Sequence, residues 1–220
     1  MLKHLYVLLA CGALLTSPAW AQFGPKPPTP RVAKEIQADR AMTDAAQLHR
    51  TQYTDVVSDK DGIDPDQANR WYTLARDNYT ELCADRESAT DFWSRNCYKL
   101  ADIYRRGLGV TQDYDRASTL YTDACLQGRH LEACLQQAYI DHVGNAGAKD
   151  WPNARKLYKT ACDMGDASGC AGLGNMLYRG QGGSPDRNLG ARLLQDACTD
   201  EYTWACERIV SYGIPDRQLR

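Results

Sequence analysis

The chain has 220 residues, enough for one domain of ordinary size, two small ones or a short repeat array. With 43% hydrophobic and 25% charged residues it is neither a wholly disordered chain nor a multispanning membrane protein. The formal net charge of −2, with 26 basic and 28 acidic residues scattered along the chain, excludes the electrostatic footprint of a nucleic-acid binder.

Residues 1–21 read as an export signal: Lys3 is the positive start, Leu5 to Leu15 the apolar stretch, and Ala19-Trp20-Ala21 the small-x-small cleavage site. The apolar stretch is too short to persist as a spanning helix, so no membrane insertion is expected after signal removal. A rival reading, a lipoprotein box at Leu8-Leu9-Ala10-Cys11-Gly12 with Cys11 acylated, leaves too few apolar residues before the cut and ranks below it. Either way Cys11 leaves the count, and eight of the nine cysteines remain for an exported, periplasmic protein. Residues 22–31 follow with four prolines, an extended, semi-rigid leader.

Residues 32–65 are expected to form a long first helix over 32–58 followed by an acidic loop from Asp59 to Asp66. Asp64-Pro65 opens the next helix, with Gln67 at the capping-box position. The loop misses the calcium-binding pattern, because Ile63 stands where a ligand belongs and no glutamate closes it.

From there the cysteines are periodic. Cys97, Cys134, Cys170 and Cys206 are spaced by 37, 36 and 36 residues, and Cys83, Cys125, Cys162 and Cys198 precede them by 14, 9, 8 and 8. Gly107, Gly144 and Gly180 keep the same beat, as do Ala75, Ala117, Ala154 and Gly190, and Tyr79, Tyr121, Tyr158 and Leu194. A period near 36 marks stacked helix pairs. Within one period Leu100, Ala101 and Tyr104 form a first helix that Gly107 ends, and Ala117, Leu120, Tyr121 and Ala124 form a second ending near Gly128. In the third period Gly180 to Gly183 turn the chain, and Ser184-Pro185 is expected to cap the following helix. The expected fold is all-α, an α/α superhelical solenoid over residues 66–212 with a tail at 213–220. Local disulfides Cys83–Cys97, Cys125–Cys134, Cys162–Cys170 and Cys198–Cys206 fit this layout, each stapling one repeat to the next. Zinc is the weaker alternative, since no Cys-x-x-Cys occurs and export favours oxidation; no metal or other cofactor is expected.

The run Leu100-Ala101, Tyr104, Gly107, Gly109-Val110, Asp113, Ala117, Tyr121, Ala124 and Gly128 resembles the Sel-1-like repeat, a relative of tetratricopeptide repeats. Later segments match with gaps, through Ala138, Gly144, Asp150, Ala154, Tyr158, Ala161 and Gly165, then Leu173-Gly174, Tyr178, Gly180, Gly182, Ala191 and Ala197. The paired cysteines resemble the cysteine-rich exported subgroup first known from Helicobacter. That resemblance implies a protein-binding scaffold. Some members of the subgroup are described as penicillin-binding proteins or weak β-lactamases, but Ser-x-x-Lys, Gly-x-Ser-x-Gly and His-Glu-x-x-His are all absent, and no catalytic residue is assigned.

By analogy with tetratricopeptide arrays, the first helix of each repeat lines the concave face. The positions one, five and eight or nine after each first-set cysteine should then face outward: Tyr98, Asp102, Arg105 and Arg106; Leu135, Tyr139 and His142; Ala171, Asn175, Tyr178 and Arg179. Tyrosine and arginine favour interface hot spots. Trp93, Trp151 and Trp204 are further anchors or core plugs. The expected partner is one protein. Short exported chains of this type resemble immunity partners of type VI-secreted lipases, so a toxin lipase leads, with an envelope scaffold and a penicillin-binding enzyme as alternatives.

Overall fold

The computed structural model describes residues 28–53, 66–87 and 90–215, with the side chains of 49–53 left aside. The export signal, Cys11, His49, most of the leader and nearly all of the acidic loop therefore lie outside the described residues.

Nine α-helices occur among the described residues: α1 Pro30–Tyr53, α2 Gln67–Ala84, α3 Thr90–Arg106, α4 Tyr114–Leu126, α5 Leu131–Val143, α6 Trp151–Asp163, α7 Ala167–Arg179, α8 Arg187–Thr199 and α9 Thr203–Tyr212. They pack as successive hairpins, α1 on α2, α3 on α4, α5 on α6 and α7 on α8, each hairpin leaning on the next. This is an all-α solenoid. The last helix among the described residues is α9; Gly213 ends it in the left-handed conformation and Ile214 turns back into the core.

The repeat positions have distinct physical jobs. Ala101 and Ala138 on first helices, with Ala117 and Ala154 on second helices, are fully buried. Gly174 and Gly190 replace them in the α7–α8 hairpin, where a Cβ on Gly190 would lie 2.7 Å from the Gly174 carbonyl oxygen. Small residues thus set how closely the paired helices approach. Tyr79, Tyr121 and Leu194 fill the groove behind them and are all but inaccessible. Asp113, Asp150 and Asp186 cap α4, α6 and α8, their carboxylates accepting from the backbone N–H of Arg116, Asn153 and Leu189.

All four expected disulfides are present, with Cα–Cα distances of 4.8, 4.7, 4.4 and 4.9 Å in chain order. Each joins the end of a second helix to the next first helix, and each short closed loop stabilises the fold by about 2–3 kcal/mol.

Three local expectations are corrected. Pro30 and Arg31, assigned to the extended leader, form the first turn of α1, where a proline lacks no needed N–H. The helix α2 begins at Gln67 after Asp66, which makes no side-chain cap bond, so Gln67 is not in a capping box. Asp186 caps α8 in place of Ser184-Pro185, whose Ser184 carbonyl instead accepts from Arg155 Nη1 at 3.0 Å.

Candidate functional site

Two stretches of first-helix surface carry the expected contact residues. On α3, Asp102 accepts from Arg105 Nε at 3.1 Å and from Arg106 Nη1 at 3.2 Å, and the Tyr121 hydroxyl lies 3.3 Å from it. Tyr98 stacks on His130, ring centroids 4.8 Å apart, and His130 Nδ1 accepts from the Ala133 N–H to cap α5. Arg95 and Lys99 are held by Glu35 and Asp39 of α1. Burial raises the pKa of the Glu35 carboxyl, but the hydrogen bonds and charges of Arg95 and Lys99 outweigh it and leave the group below its ordinary value. This face is polar, and its charges bond to one another.

The second stretch is an open hollow of about 500 Å³ between α5, α7 and the start of α9. Leu135, Gln136, Tyr139, His142 and Val143 line it from α5, Ser168, Gly172 and Asn175 from α7, and Tyr158, Tyr202 and Trp204 complete it. Gly172 makes this shape possible, because a Cβ there would sit 2.6 Å from Tyr158 Cδ1. His142 meets Tyr158 edge-on, with centroids 6.2 Å apart. Tyr139, 53% exposed, stands at the rim. Burial pushes the Tyr158 hydroxyl above its ordinary pKa and holds His142 below its own, the latter against a hydrogen bond to Gln181 and helped by the charges of Arg179 and Lys149. Both groups are neutral near pH 7. The hollow is an uncharged, ring-lined surface suited to apolar contact rather than to proton transfer.

Of the expected contact residues, the structure gathers Leu135, Tyr139, His142 and Asn175 into the hollow. Tyr98, Asp102, Arg105 and Arg106 form the separate α3 network, and Arg179 is exposed in the last turn of α7. Ala171 and Asn175 correct the outward expectation: Ala171 is fully buried in the core, and Asn175 is 3% exposed and accepts from the Tyr212 hydroxyl at 2.5 Å. Tyr178 is only part-exposed, stacked on Tyr212 at 4.6 Å. Tyr212 of α9 covers both Asn175 and Tyr178. Trp93 is a core plug donating to the Cys83 carbonyl, whereas Trp204 lines the hollow. Sequence reasoning missed Gly172 and Tyr158 as site residues. Their signal was a glycine where the preceding repeats carry Lys99 and Gln136.

Among the described residues no group of three or more histidine, cysteine or acidic side chains could hold a metal ion, and no helix is long and apolar enough to cross a membrane.

The family model for the Sel1 repeat matches residues 59–78, 97–128, 147–166 and 167–201. Over 96 residues the chain is 35% identical to cytochrome c oxidase assembly factor 7 of Mus musculus, covering 41% of this chain and 42% of that protein. The chain thus spans less than half the length of that relative. Among solved structures, a Sel1 repeat protein from Oxalobacter formigenes is similar at 22% identity and a TM-score of 0.50, covering 60% of this chain and 96% of its own. A protective antigen of uropathogenic Escherichia coli with an SLR fold is similar at 21% identity and a TM-score of 0.51, covering 85% of this chain and 42% of its own. These two likenesses concern the fold alone.

Proposed function

We propose that this chain, a Sel1 repeat protein by its matched segments and its stacked helix pairs, is a rigid, non-catalytic module that holds one partner protein in the hollow between α5, α7 and α9. The observation that carries this reading is the open, ring-lined hollow itself, set on an array whose neighbouring polar groups are already bonded to one another. The four staples hold the helices in register before a partner arrives, so little ordering entropy is lost on binding. They also favour an oxidising compartment, in line with the export signal of residues 1–21 and a periplasmic location.

Within this reading the chain neutralises a toxic enzyme by covering it, as an immunity protein against a secreted phospholipase or other lipase would. Export and a preorganised surface support that role. A second reading, an adaptor that helps assemble an envelope complex, is favoured by the relative named as a cytochrome c oxidase assembly factor.

The test is capture of the partner by the tagged mature protein from the periplasm, followed by mass spectrometry. One protein should be recovered with the native chain and lost with Tyr139→Ala. A lipase whose activity falls to zero at one equivalent of this chain supports neutralisation; a multi-subunit complex supports the adaptor. Recovery that survives Tyr139→Ala, or turnover of lipid or nitrocefin by the purified chain, overturns the proposal.

A further inference from the structure

The lining of the hollow contains no charged side chain, so a charged group driven into it would lose water without gaining a partner. Its rings instead favour a neutral aromatic or branched anchor. The margin is different. Lys149 Nζ lies 5.8 Å from the Trp151 ring, and the Trp151 Nε1 donates to the His142 carbonyl at 3.2 Å, which fixes this cation beside the hollow. Arg179, in the last turn of α7, acts on the same His142. At the other end the Arg208 guanidinium sits 5.2 Å over Trp204, and its buried Nε has no hydrogen-bond partner.

None of these three cations forms an ion pair among the described residues. On α3, by contrast, Arg95, Lys99, Arg105 and Arg106 are all held by carboxylates. Three acids that could have neutralised the margin are committed elsewhere: Asp141 accepts from Gln137 and Asn153, Asp150 caps α6, and Asp166 caps α7. The cations of α3 are thus held by carboxylates, whereas Lys149, Arg179 and Arg208 around the hollow are not.

Resting on the reading that this hollow binds the partner, we propose that its occupant is an extended acidic segment of that protein. One neutral aromatic or branched side chain enters among Tyr139, Tyr158 and Trp204, and aspartate or glutamate residues on either side of it meet Lys149, Arg179 and Arg208. A carboxylate at the Trp204 end would pair with the Arg208 guanidinium that lies over that ring. The anchor supplies affinity, and the flanking acids supply register and encounter rate.

The probe is a dye-labelled decapeptide, acetylated and amidated, with one central phenylalanine, two aspartates on each side and glycine elsewhere, titrated into the mature disulfide-bonded protein by fluorescence polarisation. Saturable binding is expected. It should weaken at least about tenfold when the phenylalanine is replaced by alanine, and by a similar factor with Tyr139→Ala or with Lys149→Glu and Arg179→Glu together. Lys156→Glu, on the exposed face of α6, should leave it unchanged. Unaltered thermal melts show that each variant is folded. Equal binding of a lysine-flanked peptide, indifference to the double charge reversal, or no binding at all overturns the acidic occupant. Self-association of the free protein that disappears in Tyr139→Ala assigns the hollow to a second copy and also overturns it. If capture from the periplasm still depends on Tyr139 while the peptide fails, the acidic-segment proposal falls alone and the partner-binding reading stands.

Discussion

Asp102, Tyr139 and Asn175 occupy the same repeat position, five residues after Cys97, Cys134 and Cys170, and do three different things. Asp102 is the hub of an ion-paired network over Tyr121, Tyr139 is an exposed ring, and Asn175 is a buried acceptor beneath Tyr212. The backbone geometry is shared, so the difference comes from what stands around each position. Beside Asp102, Arg105 and Arg106 follow at helical spacing and close the surface. Around Tyr139 no acid answers the nearby cations, and Gly172 lets Tyr158 turn its ring into the space. A repeat array can thus present one saturated face and one open face without changing its fold.

The largest test of this contrast removes a staple from each region. Replacing both Cys162 and Cys170 by alanine should cost about 2–3 kcal/mol in urea unfolding. It should also abolish partner capture, because this bridge ties the helix bearing Tyr158 to the helix bearing Gly172. Replacing both Cys83 and Cys97 should cost a similar amount in urea and leave capture intact. If the two pairs of variants lose capture equally, rigidity of the whole array matters and the hollow is not special.

Side chains come next. Tyr139→Ala should weaken the complex by about 2 kcal/mol, the scale of an interface hot spot, while shifting stability by less than about 0.5 kcal/mol because the ring is exposed. Asp102→Asn should do the reverse. It removes the charge that holds Arg105 and Arg106 and should cost about 1 kcal/mol of stability, with little loss in the complex. Measuring both variants by isothermal titration and urea melts would expose the contrast as mistaken if binding followed Asp102.

The periodic cysteines, glycines and tyrosines made the helix pairs and their bridges legible, since each repeats a steric requirement that no neighbour can alter. Helix starts were less legible. Asp186 keeps the phase of Asp113 and Asp150, yet Ser184-Pro185 is the stronger local signature, and only the backbone course decides between them. The contact surface was legible in part. Tyr139 and His142 follow from helical spacing on a first helix. The covering of Asn175 and Tyr178 depends on Tyr212, contributed by α9, a contact that no local pattern in α7 announces. Gly172 carries no chemistry of its own, and its role shows only against the Tyr158 ring that it faces.

The smallest expected effect separates the two regions by acid. His130, on the saturated face, accepts from the Ala133 N–H through Nδ1, so protonation of that nitrogen removes the cap of α5. Burial first, with the charges of Arg95 and Lys99, holds its pKa below the ordinary value of 6.5 despite Glu132 nearby. The unfolded chain therefore takes up a proton more readily than the folded one. The stabilisation is fully present above that ordinary value and is lost as the pH falls through the lowered folded value. His142 in the hollow is shifted in the same direction by burial and adds a loss of the same sign. Asparagine is among the preferred N-cap residues and does not titrate, so His130→Asn should keep the cap and flatten part of the pH dependence. Urea midpoints followed from about pH 7 to about pH 5 should fall less steeply in that variant. Partner capture at neutral pH should be unchanged. An undiminished slope would move the acid sensitivity from α3 and α5's cap to the hollow, where His142→Gln should then abolish it.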